Sequence, residues 1–269
     1  MKLKKNLALY IGVGIVAILL FLMIISLFYT PYDANKMVIA ERFQAPSIKH
    51  WLGTDNFGRD ILSRIMEGSQ TAFYVGTVSV LIALIGGIII GALAGYMGGW
   101  VDEVVMRIID ALMAFPSILL ALVFIAVFGV STQNTMLAIG IRSIPTFARI
   151  ARSGFIQYKE FEFVKAAKAI GAGPFRIMFI HILPNVMSSL IIAASMGFAT
   201  AVLAEAGLSY LGLGVQPPHP SWGRMLNEAQ GYLMKAPWYT FAPGTVITMS
   251  VLGFNLLGDG IRDMCDTRK

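Results

Sequence analysis

The sequence predicts an all-α integral membrane protein with six transmembrane helices and both termini on the cytoplasmic side. Three observations carry that prediction. Charged residues make up only 13% of the 269 while hydrophobic residues make up 57%, about half the charged share of an ordinary soluble domain. Five uncharged runs are each long enough to cross a hydrocarbon core of about 30 Å. Lys and Arg are spread unevenly between those runs, which orients the chain.

Taken in order, the first run is Leu7–Tyr29, behind a lysine-rich start at Met1–Asn6. It is too long for a cleavable signal core and no small-x-small site follows it, so it reads as a retained span. The segment from Tyr32 to Glu67 then lies outside, and His50–Arg64 within it reads as a short amphipathic stretch on the outer face. The second run, Gly68–Val101, carries one small residue every four at Ala83, Gly87, Gly91, Gly95 and Gly99. Small residues at that spacing share one helix face and predict a tightly packed partner helix.

The third run is Ala111–Ile141. A further segment, Thr135–Phe155, is interrupted by Arg142, Pro145, Arg149 and Arg152, and hydropathy alone leaves it undecided. If it spans, Lys159, Lys165, Lys168 and Arg176 return to the cytoplasmic side, as does the C-terminal Arg262; if it does not, that basic segment lies outside. Six spans are therefore the better account. Ile177–Ala204 is the fifth and Ala236–Gly258 the sixth. Between them, Pro217–Trp238 contains Trp222, Tyr232 and Trp238 and reads as a gate-flanking or interfacial segment, with belt anchoring by its aromatics favoured over substrate contact. Asp110, Arg142 and Glu205 are ionisable groups at or near the membrane, which makes them candidates for a pathway or a subunit contact.

Most catalytic chemistry has no residues to carry it. There is no GxxxxGK[ST] phosphate loop. His50, His181 and His219 are scattered and HExxH is absent, so no metal site is expected. Around Ser209 the nucleophile-elbow spacing fails at Leu211, and no catalytic residue is assigned. The single Cys265 excludes a disulfide framework. The net charge of +6 has no basic cluster interleaved with aromatics, so nucleic acid is not a partner.

The informative segment is 160–185, EFEFVKAAKAIGAGPFRIMFIHILPN. Phe163, Ala166, Ala167 and Ile170 recur at helical spacing, with Lys165 and Lys168 facing elsewhere. Gly171 suits a helix C-cap and Pro174 the first position of the next helix. Pro184 should end or kink that helix just before the fifth span. Such an amphipathic element either lies on the lipid surface or docks on another subunit.

The spacing Ala166-Ala167-x3-Gly171-x11-Leu183-Pro184 resembles the EAA motif of prokaryotic ABC-importer permeases. Lys165 stands where Glu is usual and His181 where an aliphatic is usual. HWLGTDNFGRDILSR (50–64), MRIIDALMAFPSILLAL (106–122) and AEAGLSYLGLGVQPPHPSWGRML (204–226) resemble stretches of the C-type subunit of dipeptide, oligopeptide and nickel permeases. The resemblance implies the type I ABC importer (MetI-like) permease fold, divided into an N-terminal region at 1–68, a transmembrane domain at 69–262 with a cytoplasmic coupling loop at 157–186, and a tail at 263–269. It also implies a homologous B-type permease subunit, two cytoplasmic ABC ATPase subunits that hold the ATP-Mg, and an extracytoplasmic substrate-binding protein, all at a bacterial cell membrane. This chain would hold no cofactor of its own.

By that resemblance Phe163, Lys165, Ala166, Ala167, Gly171, Pro174, His181, Leu183 and Pro184 form the ATPase-coupling loop. Ala166 and Ala167 would allow close approach to the ATPase, Gly171 would sit where a side chain clashes, and Pro184 would set the entry angle into the membrane. The substrate is a di- or oligopeptide, with nickel or a metal chelate as the alternative. A secondary transporter working without ATP is a further alternative, but it would place ionisable groups at mid-span and need no docking loop.

Overall fold

The computed structural model describes residues 2–265, with side chains from residue 7 onward. It is entirely helical apart from turns and one isolated bridge, Thr54 to Asp60. The helices are α1 (Lys2–Ser26), α2 (Ile61–Met97), α3 (Gly99–Ala114), α4 (Ser117–Phe128), α5 (Thr132–Tyr158), α6 (Glu162–Ala169), α7 (Pro174–Arg176), α8 (Leu183–Tyr210), α9 (Trp222–Ala229) and α10 (Pro237–Cys265). Residues 174–210 are continuous, joined by a π-helical segment, Ile177–Ile182. The expected tail at 263–269 is covered only as far as Cys265, as the last turn of α10; its remainder lies outside the described residues.

Four helical stretches are individually long and apolar enough to cross a membrane, and the pair α3–α4, bent by 91°, makes a fifth when taken as one span. Helix α5 is 27 residues long but less apolar because it carries Arg142, Arg149 and Arg152. Counted with it, the crossings number six. The run Ala111–Ile141 is not one helix, because it breaks at Phe115–Pro116 and again at Gly129–Ser131. Pro116 disfavours helix at Phe115, and Gly129 adopts φ +90°. The predicted segment Thr135–Phe155 falls inside α5. Helix α2 starts at Ile61, seven residues before the uncharged run, so the 68/69 boundary falls within a continuous helix.

The bundle is built on close backbone approaches. A Cβ on Gly87 would sit 2.3 Å from Phe147 Cβ, one on Gly91 2.4 Å from the Ala148 carbonyl oxygen, and one on Gly95 2.7 Å from that of Arg152. Three glycines one turn apart thus let α5 lie against α2. Gly99 is not part of this stripe: it lies beyond the end of α2, with nothing within 4 Å of its Cβ position. A second close pair joins α1 to α10, where a Cβ on Gly12 would meet the Leu257 nitrogen at 2.6 Å. Helix α8, rich in Ser, Ala and Gly, packs against α2, α5, α9 and α10. Phe198 of α8 stacks on Phe254 of α10 at 4.1 Å between centroids and tilts against Phe73 of α2 at 5.4 Å.

The segment 50–60 lies outside the helices, ahead of α2. It is a series of turns ordered by aspartates, with Asp55 accepting from the Phe57 and Arg59 amides at 2.8 and 2.9 Å. Asp60 caps α2 by accepting from the Ser63 amide at 2.8 Å. Trp222 is not an interfacial anchor: it is buried, and its indole N–H donates to the Ile65 carbonyl at 3.0 Å.

Replacing Gly91 with leucine should force α2 and α5 apart and cost about 1–3 kcal/mol or more of stability. The same change at Gly14, whose Cβ position meets nothing within 4 Å, should be nearly neutral. Thermal unfolding of the detergent-solubilised chain reads both, and equal midpoints for the two variants would refute the packing line.

Candidate functional site

The candidate site is the α6 end of the bundle. Helix α6 is held inward by Val164 and Ala167, buried in one cluster with Phe155, Ile177, Met178 and Ile182. Its C-terminus closes as a Schellman motif: the Gly171 amide donates to the Lys168 carbonyl and the Ala172 amide to the Ala167 carbonyl, both at 3.0 Å. Gly171 has φ +84° and open space around its Cβ position. Glycine is needed there for the left-handed backbone, not because a side chain would collide with this chain. Pro174 opens α7, as its spacing predicts.

Most of the apolar stripe of α6 faces away from this chain. Of Phe163, Ala166, Ala167 and Ile170, only Ala167 points inward, and it packs on its own chain. The other three are exposed, Ile170 by 87%, and Phe161 and Phe175 join them. Lys165 pairs with Glu162 at 2.9 Å, a hydrogen bond that raises the Lys165 pKa, and the Lys168 ammonium stands 5.6 Å from the Tyr96 ring centroid. The result is an exposed apolar knob rimmed by cations, braced from below.

Beyond α7 the chain does not stop at Pro184. Proline removes an amide donor and crowds the carbonyl four residues back. The π-helical segment absorbs this: the Leu183 amide reaches back five residues to the Met178 carbonyl, and Asn185 Nδ2 donates to the His181 carbonyl at 2.7 Å. His181 and Leu183 are half-buried against the same helix.

The three ionisable candidates have separate surroundings. Asp110 pairs with Arg149 at 2.6 Å. Glu205 is buried and accepts from Ser209 Oγ at 2.6 Å. Arg142 makes neither an ion pair nor a hydrogen bond among the described residues and lines a cavity between α4, α5 and α8. Arg152, by contrast, clamps Asp102 with two nitrogens.

At the opposite, α9 end, a buried ionic cluster ties distant segments together. Arg59 bridges Asp55 and Glu228, the latter at 2.7 Å, and Arg64 reaches Glu228 at 3.4 Å. Tyr239 Oη lies 3.1 Å from both Asn56 Oδ1 and Glu228 Oε2. Burial pushes the Glu228 carboxyl up, but the Arg64 and Arg59 guanidiniums outweigh it and hold it below the usual carboxylate range. Burial likewise works against the Arg59 charge, and Asp55 and Glu228 overcome it, so its pKa is raised. Sequence reasoning does not single out Glu228, because Arg224-x3-Glu228 reads as an ordinary helix pair.

Comparison with known proteins bears on both ends. A family model described as "binding-protein-dependent transport system inner membrane component" matches residues 87–269. A dipeptide transport system permease protein of Alkalihalophilus pseudofirmus is 44% identical over 267 residues, covering 99% of this chain and 88% of that protein. A glutathione transport system permease protein of Pectobacterium atrosepticum is 44% identical over 239 residues, covering 88% and 79%. The MetNI methionine ABC transporter in an inward-facing conformation contains a chain of similar fold, with TM-score 0.61 and 20% identity, covering 72% of this chain and 93% of that one.

Because the folded-state pKa of Glu228 lies below its unfolded value of about 4.3, its stabilisation is complete above that pH and is lost as pH falls through the folded value. Glu228→Gln should therefore cost about 3–5 kcal/mol at pH 7 by leaving the Arg59 and Arg64 guanidiniums to share the one Asp55 carboxylate. Its penalty should shrink in acid, below about pH 4. Unfolding midpoints across pH read this, and a pH-independent difference would refute the cluster's role.

Proposed function

Since this chain belongs to the family of binding-protein-dependent transport system inner membrane components and is a multi-pass membrane protein, we propose that it is a permease subunit of an ATP-driven importer of short peptides. Its partners are a homologous permease, two cytoplasmic ATPase subunits carrying ATP-Mg, and an extracytoplasmic binding protein. Both termini and the α6 knob lie on the cytoplasmic side, where the basic residues of 159–176 belong by the positive-inside rule. Relatives that transport a dipeptide and glutathione support a peptide substrate over a metal chelate.

The observation that carries the reading is the knob itself. Ile170, Phe175 and Phe163 are exposed beside Lys165, Lys168 and Arg176 at the end of a helix braced into the bundle. Such a surface suits insertion into a cleft on another protein. Closure of the ATPase pair, driven by ATP, bears on α6 and passes through residues 174–210 to the spanning core. The transmission works because the knob's contacts differ between the two states of the transporter. This chain binds and moves; the bond-breaking chemistry belongs to the ATPase subunits.

A tagged form of the chain, gently solubilised, should co-purify a second permease and two P-loop ATPases with measurable ATP hydrolysis. Ile170→Asp should leave insertion intact and lower peptide uptake at least about tenfold, the factor set by about 1.4 kcal/mol. Gly171→Trp should do the same, while Gly171→Asn, which tolerates left-handed backbone, should retain most uptake. A lone chain without ATPase partners, or unaltered uptake in Ile170→Asp, would overturn the reading.

A further inference from the structure

Helix α5 turns one kind of face toward α2 and another kind away from it. At 3.6 residues per turn, Arg142, Thr146, Arg149, Ser153 and Gln157 fall within one arc of about 80°. Gly140, Phe147 and Ala151, which meet α2, lie on the far side of the helix. Four of the five arc residues are exposed in this chain, and Arg142 is half-buried. The approaches between α2 and α5 supply a depth scale. A Cβ on Gly140 would sit 2.8 Å from Ile82, and one on Gly86 2.9 Å from Ile144, so Arg142 is level with residues 82–86. That is the middle of the uncharged part of α2, residues 68–97.

The exposed face of α2 shows what a lipid-facing surface looks like in this molecule: Leu81, Ile85, Ile89, Leu93 and Met97, one per turn. The α5 arc is the reverse, polar or charged at each of its five turns. Asp110 of α3 meets Arg149 at 2.6 Å, and the two side chains are 61% and 48% exposed. A mid-membrane arginine and an ion pair open to its surroundings are costly against hydrocarbon, so such groups face water or protein. The neighbouring side of α8 matches the arc. Ser189 borders a groove of about 330 Å³ with Arg149, Ser153 and Gln157, and Thr200 borders one of about 220 Å³ with Arg142. Hydrogen-bonding groups therefore recur along the seam between α5 and α8, from mid-membrane to the α6 end.

We propose that the α5 arc, with Ser189 and Thr200 of α8, is the wall that this chain gives to a water-filled passage between mid-membrane and the cytoplasmic side. This rests on the permease reading above and adds to it the strip of surface past which the solute moves. Water is favoured over a covering protein because the polar groups are spread one per turn along open grooves, where water hydrates each of them without a matched partner. The strip offers donors and acceptors at every turn and no deep apolar pocket. It suits a solute rich in amide groups and places no demand on that solute's side chains. Its second wall belongs to the unbroken stretch 174–210. A Cβ on Gly154 of α5 would sit 2.6 Å from Val186 of that stretch, so a tilt of the stretch changes the width of the groove beside it.

The test uses the complete transporter in inside-out membrane vesicles, in a Cys265→Ser background so that each variant carries a single thiol in this chain. Thr146→Cys, Ser153→Cys and Thr200→Cys report on the strip, and Ile85→Cys reports on the apolar face of α2. The probe is the anionic, membrane-impermeant sulfonatoethyl methanethiosulfonate, added on the cytoplasmic side. The thiolate is the reacting species and forms in water, not in hydrocarbon, so the strip cysteines should react at least about tenfold faster than Ile85→Cys. Trapping the ATPases with ATP, magnesium and vanadate should change the strip rates and leave Ile85→Cys unaltered. Strip cysteines that react no faster than Ile85→Cys, in a complex that hydrolyses ATP and imports peptide, would overturn the proposal by assigning the strip to the partner permease; the import reading would stand. If no ATPase partners are found, the import reading falls by itself, and fast reaction of the strip would still place water along it. Should one strip variant fail to assemble, the other two decide.

Discussion

How closely α2 and α5 approach governs the rest of the bundle. In lipid, an apolar side chain gains little by moving from hydrocarbon to protein, so helices remain together only where their surfaces fit. Glycines at 87, 91 and 95 take side chains off one face of α2, and the α5 backbone from Phe147 to Arg152 settles into the space. Helix α5 is the crossing least suited to lipid because of its arginines. Lying against α2, it directs Arg149 and Arg152 toward Asp110 and Asp102 of α3. The same line of approach therefore sets helix packing and the placement of charge.

The two ends of the bundle are finished differently. At the α9 end, Asp55, Arg59, Arg64 and Glu228 neutralise one another out of water and bind the segment before α2 to α9 and α10. Such a cluster is costly to break from one side, which makes that end rigid. At the α6 end the charges are exposed, Lys165 pairing with Glu162 only at the surface, and apolar residues that would normally be covered face outward. One end is closed by its own charges, and the other leaves an apolar surface exposed.

Much of this was legible in the residues. The number of crossings followed from charge placement, and the α2 stripe from its spacing of four, because both depend on sequence-local quantities. The cap at Gly171 and the helix start at Pro174 were legible for the same reason. Within this chain a side chain at Gly171 meets open space, and the left-handed backbone demands glycine there. The residues that brace α6 were not legible: Val164 and Ala167 face in, although Phe163 and Ile170 are larger and more apolar. Periodicity identifies a stripe but does not say whether this chain or another covers it. Glu228 lies more than 160 residues from Arg59 and Arg64 in sequence, and no local pattern joins it to them. The break at Phe115–Pro116 was hidden because the residues on both sides are uniformly apolar.

The unbroken stretch from Pro174 to Tyr210 has a mechanical consequence. Its 37 residues make a rod of roughly 55 Å, longer than the hydrocarbon core. A rod that long works as a lever, in which a tilt of about 10° about its midpoint carries each tip through about 5 Å. The π-helical segment sits near one tip, beside the knob, where the wider hydrogen-bond register lets the arm pass a proline without a sharp kink. A tilt of this rod would therefore move the tip beside Glu205 and α9 together with the α6 end.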